Sequence, residues 1–441
     1  MLTKSDVLRI SKDAELQVIR LWFTDILGQI KGLNLPIEDL EMVLDEGHGF
    51  DGSSVEGFVR IEESDLLVVP DPRTFRILPW EHGGAKTGIL ICDVTYPDGR
   101  PFESDPRYVL QRMLTRAGEN GFDNFYVGPE LEYFYFPDDK HAEILDRGGY
   151  FDVMPMDHIS ACRKQTYMTL RKMGIKVDAS HHEVSPSQHE LGLSYTNALE
   201  MADKLMITKA VVKEVAREND LYASFMPKPL AQVNGSGMHV HFSLFSGAEN
   251  RFYSKEDLYN LSNTARRFIA GILRHAREIT AVTNQWVNSY KRLVVGYEAP
   301  VYICWGRRNR SALVRVPAFK PHHPNSCRAE FRSPDPAANP YLLFAVMLGA
   351  GMAGLDNDYE LIEPVEEDIY GMPEKVQKER GIKALPDSLY AAILFMEESD
   401  LVRDILGTEL FEKYIANKRA EWEQYRIQVT DYEVETYLPK L

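Results

Sequence analysis

Carboxylates and histidines gather in four short stretches of this chain: Glu130-Leu-Glu132, His182-Glu183 with His189-Glu190, Met238-His239-Val240-His241, and Arg328-Ala-Glu330-Phe-Arg332. Side chains along a strand alternate between faces with a period of two. Over 237–244 this sets His239, His241 and Ser243 on one face and Met238, Val240, Phe242 and Leu244 on the other. The same alternation groups Glu130 with Glu132 against Leu131 and Tyr133, and Arg328, Glu330 and Arg332 against Ala329 and Phe331. One face is then core and the other carries chemistry. In the set Glu130, Glu132, Glu183, Glu190, Glu330 and His239, carboxylates outnumber imidazoles five to one. Such donors suit Mg²⁺ or Mn²⁺ rather than Zn²⁺, and the arginines between them suit phosphate.

Each stretch also has an ordinary reading when taken alone. Glu130-Leu-Glu132 could be the solvated face of a strand, although Phe134, Tyr135 and Phe136 beside it read as buried, and buried carboxylates need a cation or hydrogen-bond donors. The 181–190 stretch contains Pro186 and reads equally as a surface loop with a helix cap. Asn234-Gly-Ser-Gly237 could be a hairpin turn, but its two glycines also let backbone approach a bound substrate closely. Lys291 to Pro300 is a Gly- and Pro-bounded loop with Glu298 near its end, followed by Arg307, Arg308, Arg310 and Arg315, which alone would pass for a solvated basic segment.

The elements that must position these residues begin with strands. Gln17–Phe23 and Gln29–Leu35 flank the turn Asp25-Ile-Leu-Gly28, a hairpin pattern, and Pro36 opens a short helix stopped at Gly47 or Gly49. The first hundred residues thus read as strands with one helix. A turn-rich connector at 96–101 leads to Asp105-Pro106, a cap and first turn, and the domain boundary falls near residue 103. Further helices are expected over 106–120, 160–173, 197–219, 255–282 with Ser254 and Asp257 as a capping box, and 340–354 capped by Asn339. From Pro386 the pattern is helical almost to the end, closing in a short, partly apolar tail, Tyr432–Leu441, of the kind that docks onto something.

At 441 residues two domains are expected, and 44% hydrophobic content supports full-sized cores. The net charge of −16, from 50 basic and 66 acidic residues, argues against a nucleic-acid partner. Cys92, Cys162, Cys304 and Cys327 are scattered and form no CxxC, which fits a reducing cytoplasm rather than a disulfide or thiolate-zinc framework. The N-terminus has no apolar signal core, and the longest apolar run, Tyr341–Leu355, falls short of the ~20 residues of a membrane span, so neither export nor insertion is expected.

Taken together the motifs resemble type I glutamine synthetase. They are Phe50-Asp51-Gly-Ser-Ser54, Gly128-Pro-Glu-Leu-Glu132, His181-His-Glu-Val184 with Gln188-His-Glu190, Asn234-Gly-Ser-Gly-Met-His239, Lys291-Arg-Leu-Val-Val-Gly-Tyr-Glu-Ala-Pro300, Asn309-Arg-Ser-Ala312 and Arg328-Ala-Glu-Phe-Arg-Ser-Pro-Asp335. The resemblance implies an α+β fold: an N-terminal β-grasp domain over 1–103, then a glutamine-synthetase-type α/β catalytic domain over 104–441 ending in a helical tail. It implies a homo-dodecamer of two stacked hexamers, with each site shared between neighbours. It assigns Glu132, Glu183 and Glu190 to one divalent ion and Glu130, His239 and Glu330 to a second. His241 and Ser243 fall at nucleotide-contacting positions, with Tyr195 a candidate to stack on adenine. Arg310 and Arg315 match the phosphate clamp, and Asn234, Gly235, Arg292, Glu298, Arg310 and Arg332 the glutamate contacts. Asp51 and Ser54 match the ammonium subsite, and Glu298 the flap that closes over the intermediate.

The activity so implied is ligation of ammonia to L-glutamate at the expense of ATP, through γ-glutamyl phosphate. Two alternatives stand beside it: a ligase of the same family acting on a polyamine or other amine, which would not need Asp51 and Ser54, and a non-catalytic relative, which would tolerate loss of ligands. The chain departs from the family at the flap, where Val294-Val295-Gly296 replaces the usual Val-Pro-Gly. It resembles the shorter branch, which lacks the inserted segment of the adenylylated branch; Tyr370 occupies the position modified there, and adenylylation is not expected. Arg60 matches a residue linked to glutamine feedback in the shorter branch. Arg20, Arg60, Arg171 and Lys172 are cations that could serve an acidic effector, with solvated surface charge the simpler reading for Arg171 and Lys172. Glutamine feedback, 2-oxoglutarate activation and a small nitrogen-regulatory protein partner all stay open.

Overall fold

The structure is a computed structural model that describes residues 2–55, 57, 65–319, 323–367 and 369–441. The expected hairpin forms as β1 (Val18–Thr24) and β2 (Ile30–Pro36), paired antiparallel. A helix absent from the sequence reading precedes it: α1 (Lys4–Asp13) starts at a capping box in which Thr3 and Asp6 exchange side-chain and backbone hydrogen bonds. After a short 3₁₀ turn, α2 (Leu40–Glu46) ends on Gly47, which adopts a positive φ of 73°. Then come β3 (His48–Asp51), β4 (Asp65–Pro70), β5 (Arg76–Ile77) and β6 (Thr87–Thr95). The sheet order is β2-β1-β6-β4-β3 with β5 against β6. β6 runs parallel to β1, and its Ile89, Leu90 and Ile91 are buried, as a central strand covered on both faces requires.

The second part is built on an 11-stranded sheet with helices packed on it. In chain order it holds α3 (Pro106–Glu119), β7 (Asn124–Phe136), α4 (Ser160–Lys172), β8 (Val177–His182), β9 (Gln188–Leu193), β10 (Thr196–Asn197), α5 (Ala198–Glu218), β11 (Tyr222–Ser224), β12 (Met238–Ser246) and β13 (Glu249–Asn250). There follow α6 (Asn263–Thr283), α7 (Ser289–Arg292), β14 (Tyr302–Gly306), β15 (Ala312–Arg315), β16 (Ala329–Phe331), α8 (Pro340–Asp356), α9 (Glu374–Glu379) and β17 (Lys383–Ala384). The last helices are α10 (Leu389–Glu397), α11 (Asp400–Leu406), α12 (Thr408–Arg426) and α13 (Asp431–Tyr437). The main path of the sheet is β17-β14-β15-β16-β12-β7-β9-β8.

The apolar run over 341–355 becomes α8, a helix buried on nearly every side between α3, α5, α6 and α11. No described helix is long and apolar enough to cross a membrane. The helix expected over 255–282 starts only at Asn263, capped by Ser262. The reason is local: Asn260 sits at φ 58°, and the Asp257 carboxylate accepts from the N–H groups of Tyr259 and Leu261 in a turn instead of capping a helix. The four cysteines are buried and form no disulfide. The tail leaves Tyr432, Leu438 and Leu441 exposed.

The two parts meet across a buried ionic junction. Arg107 at the start of α3 contacts Asp71 and Asp93 of the first part and Asp203 of α5, with 2.8 Å to Asp71 and 3.0 Å to Asp203. Tyr341 donates to Asp203 at 2.7 Å, and the Gln285 amide donates to the Leu27 carbonyl at 2.8 Å.

Candidate active site

Strand register gathers the candidate residues. β7 lies between β12 and β9, which sets His239 opposite Glu130 and Glu190 opposite Glu132. On the next strands His241 lies opposite Glu330, and Glu330 opposite Arg315. The 181–190 stretch, for which a loop was one reading, is a β8–β9 hairpin in which His181 pairs with Glu190. The period-two expectation holds: Met238, Val240, Phe242 and Leu244 are buried in the core, while His239 lines a cavity of about 720 Å³ and His241 and Ser243 line an adjoining one of about 340 Å³.

The larger cavity is walled by Glu130, Glu132, Glu183, Glu190, His239 and Glu330, together with Asn234, Gly235, Arg292, Glu298, Arg310, Arg315 and Arg332. The smaller is walled by Tyr195, His241, Ser243 and Arg328 among others, and the two share Glu130, Ala179 and Glu190. Tyr195 is 66% exposed there, so one face of its ring is open for stacking.

Around this cavity two groups of donor atoms stand close enough to hold an ion each. One is Glu130, His239 and Glu330, the other His181, Glu183 and Glu190, each with ligand atoms within 4.8 Å of one another. In the first, the His239 Nδ1 lies 3.3 Å from Glu130 and 3.6 Å from Glu330. Glu330 is buried; Arg332 donates to one of its oxygens at 2.6 Å, and Arg315 Nε makes an ionic contact of 2.7 Å with the other without the alignment of a hydrogen bond. Burial alone would raise the Glu330 carboxyl, but Arg332, His241, His239 and Arg315 outweigh it and hold it below its usual range. Glu130 behaves likewise: burial is overcome by hydrogen bonds with His239 and His241.

In the second group the balance reverses. Burial, then the charge of Glu190, pushes the Glu183 carboxyl up to about 7. Burial, then Glu183 and Glu190, raises Glu132 well above its usual range. Glu132 is tied by Gly237 N–H at 2.8 Å and the Gln188 amide at 3.0 Å, and it lines the cavity without joining the closest triad. His181 takes that place, 3.0 Å from Glu190, with the rings of Tyr150 and Phe151 edge-on to it. His181, Tyr150 and Phe151 thus join the site beyond the residues expected from the sequence. His181 and Glu183 are two residues apart, so strand alternation could have found His181; Tyr150 and Phe151 lie in an irregular segment with no such signal.

Arg292 is buried and donates to the carbonyls of Ser333 and Arg332, at 2.6 and 3.3 Å. The glycines of 234–237 serve this packing: a Cβ on Gly235 would sit 2.2 Å from the Pro227 carbonyl, and one on Gly237 2.5 Å from Arg292 Nη2. Glu298, at φ 53°, accepts from the Asn234 amide at 3.0 Å, and the Tyr370 hydroxyl donates to the Ala299 carbonyl at 2.7 Å, pinning the end of the 291–300 loop. Asp51 lies elsewhere. It ends β3, is exposed, accepts from Ser53 N–H at 2.8 Å and lines neither cavity; Ser54 follows it in a 3₁₀ turn. Arg60 falls outside the described residues.

A family model described as glutamine synthetase, catalytic domain, matches residues 103–437, and one described as glutamine synthetase, beta-Grasp domain, matches residues 15–97. The chain belongs to the glutamine synthetase family. It is 48% identical to the glutamine synthetase of Mycobacterium bovis over 99% of both chains, and 48% identical to that of Staphylococcus epidermidis over 99% of this chain and 98% of the relative. A solved GmaS/ADP complex superposes with a TM-score of 0.90 at 31% identity, covering 98% of this chain and 99% of the other. A Plasmodium falciparum glutamine synthetase superposes with a TM-score of 0.90 at 26% identity over 99% of both. The fold is that of the family, a β-grasp domain followed by the catalytic domain.

Proposed function

We propose that the chain is an ATP-dependent glutamate–ammonia ligase. The observation that carries this reading is the convergence of Glu130, Glu132, Glu183, Glu190, Glu330 and His239 with Arg310, Arg315 and Arg332 on one cavity that adjoins a second, aromatic-walled one. A carboxylate is a poor electrophile at neutral pH, so the substrate γ-carboxylate must be activated. An oxygen of that carboxylate attacks the γ-phosphorus of ATP, ADP leaves, and γ-glutamyl phosphate results; ammonia then adds to the acyl carbon and phosphate departs. Arg310 and Arg315 offset the charge on the transferring phosphoryl group without moving. Arg292, Arg332, Asn234 and Gly235 bind glutamate, and His241, Ser243 and Tyr195 face the nucleotide.

The donor set fits divalent cations. Two sets rich in carboxylate oxygen, in the second of which burial and then mutual repulsion raise Glu183 and Glu132, favour Mg²⁺ or Mn²⁺; Glu130, His239 and Glu330 form one ligand set and Glu183, Glu190 and the cavity-lining Glu132 the other. Bound there, such ions would supply electrostatic stabilisation of the phosphoryl oxygens. The acyl phosphate needs protection from water, which the flap bearing Glu298 provides. Ammonium must lose a proton before it attacks, and Asp51 with Glu298 binds the cation and accepts that proton.

Because Asp51 is exposed on the edge of the small sheet and lines neither cavity, the reading includes a ring of copies in which Asp51 completes a neighbour's site, a dodecamer of two stacked hexamers working in the cytoplasm. Co-purified Asp51→Ala and Glu330→Ala subunits test it. After random equal mixing, about a quarter of head-to-tail interfaces pair an intact Asp51 with intact metal ligands. Activity with ammonia well above either parent supports a shared site, and a verified mixed oligomer as silent as its parents defeats it. Parallel assays with ethylamine and putrescine separate an ammonia ligase from one specific for larger amines.

A further inference from the structure

Behind the hairpin that carries Glu183 and Glu190 lies a third cluster, Asp146, His182 and His189, entirely buried. Its grouping resembles a metal triad, but its hydrogen bonds assign it another role. His189 Nδ1 lies 2.7 Å from the Arg163 guanidinium, which can only donate, so the His189 proton sits on Nε2 and no lone pair there faces an ion. His182 Nδ1 donates to the Glu183 carbonyl at 2.7 Å, and its Nε2 reaches Asp146 Oδ1 at 3.0 Å, both side chains fully buried.

We infer that Asp146 and His182 are positioning residues that hold the ion-binding hairpin in shape. The hydrogen bonds run in one line. Asp146 Oδ1 orients the His182 ring and accepts from Ser187 N–H at 2.8 Å. Ser187, at φ 60°, accepts on its hydroxyl oxygen from Leu145 N–H at 2.7 Å. The oriented His182 holds the Glu183 carbonyl, while Glu183 N–H donates to the Gln188 carbonyl at 2.8 Å. Glu183 itself has little other support: among the described residues its side chain accepts a hydrogen bond only from Val184 N–H, at 2.8 Å. On the other side of the hairpin, Phe151 N–H donates to the His182 backbone carbonyl at 3.1 Å, so the residue whose ring fixes Glu183 also anchors, through its backbone, the aromatic rim over His181. Gly148 closes the latch from above; a Cβ there would lie 2.6 Å from His182 Nε2.

The inference rests on the reading of Glu183 and Glu190 as ion ligands, and its test separates the two. Mn²⁺ binding to the intact oligomer is followed by electron paramagnetic resonance titration for wild type, Glu183→Gln, Asp146→Asn and Gly148→Ala. Asp203→Asn, an equally buried carboxylate at the domain junction, controls for general softening. Asp146→Asn removes the charge that orients His182, and Gly148→Ala displaces the ring without changing any charge. Both should weaken the Mn²⁺ site that Glu183→Gln weakens by about tenfold or more, leave the other site alone, and regain turnover at high Mn²⁺. Asp203→Asn should leave both sites unchanged. Titrations of Asp146→Asn and Gly148→Ala that overlay wild type, or an Asp203→Asn protein that loses affinity equally, overturn the positioning role. A Glu183→Gln protein that binds Mn²⁺ as wild type does would overturn the ligand reading itself, and the latch with it.

Discussion

Glu330 sits between Arg315 and Arg332, whereas Glu183 faces Glu190 and Glu132 across the same cavity with His181 as its nearest basic neighbour. Both groups hang from adjacent strands of one sheet, yet one is neutralised by the protein and the other is left in debt. A carboxylate already balanced by guanidinium groups can position an ion without depending on it for charge. Carboxyls raised by burial and then by their neighbours' charge, as Glu183 and Glu132 are, are relieved only by protons or a cation. The difference predicts two ion positions with unlike dependence on the apo protein's stability.

The largest expected effect is at Glu330. Glu330→Ala should abolish turnover at saturating Mg²⁺ and also destabilise the metal-free protein by about 3–5 kcal/mol, since it leaves Arg332 and Arg315 facing a void. Turnover assays and denaturant unfolding measure both; near-normal activity would remove Glu330 from the site. Glu183→Gln should lower turnover and metal affinity while raising the melting temperature of the metal-free protein, because one repelling charge is gone. A melting temperature that falls as it does for Glu330→Ala would erase the contrast between the groups.

The smallest effect is in pH. The folded Glu183 carboxyl titrates near 7, above the ordinary 4.5, so the folded state binds more protons than the unfolded state between those values. Stability of the metal-free protein should therefore fall as pH rises from 4.5 to 7, with Glu183 accounting for a melting shift of about three degrees. The slope should be shallower in Glu183→Gln and with saturating Mg²⁺. Equal slopes in all three would show that the repulsion is already screened.

Alternation made the site faces of β7 and β12 readable from Glu130, Glu132, His239 and His241, because strand geometry is local. Register was not readable. That His239 meets Glu130 and that Arg315 meets Glu330 depends on which strands pair, which long-range packing decides. The helix expected from residue 255 failed for a different reason: Asp257 satisfied nearby backbone donors in a turn, a competition that its capping pattern does not reveal. α1 lies outside the strands and single helix expected of the first hundred residues, although Thr3 and Asp6 have capping-box spacing. His181 went unassigned because the 181–190 stretch read equally well as a loop, and only as a strand does His181 share a face with Glu183.

Arg107 bears on how this molecule can be taken apart. Its guanidinium gathers Asp71 and Asp93 from the first domain and Asp203 from the second, so the sequence break near residue 103 lies beside a charge shared by both halves. Severing the chain there would give one fragment with an excess of buried acid and another with an arginine facing a missing partner. A chimera that grafts a relative's small domain onto this large one inherits the same condition: it must bring acidic residues where Asp71 and Asp93 stand, or supply a neutral residue at 107. The two domains are separable in topology and inseparable in electrostatics, which makes this junction, rather than the connector, the place where recombination would succeed or fail.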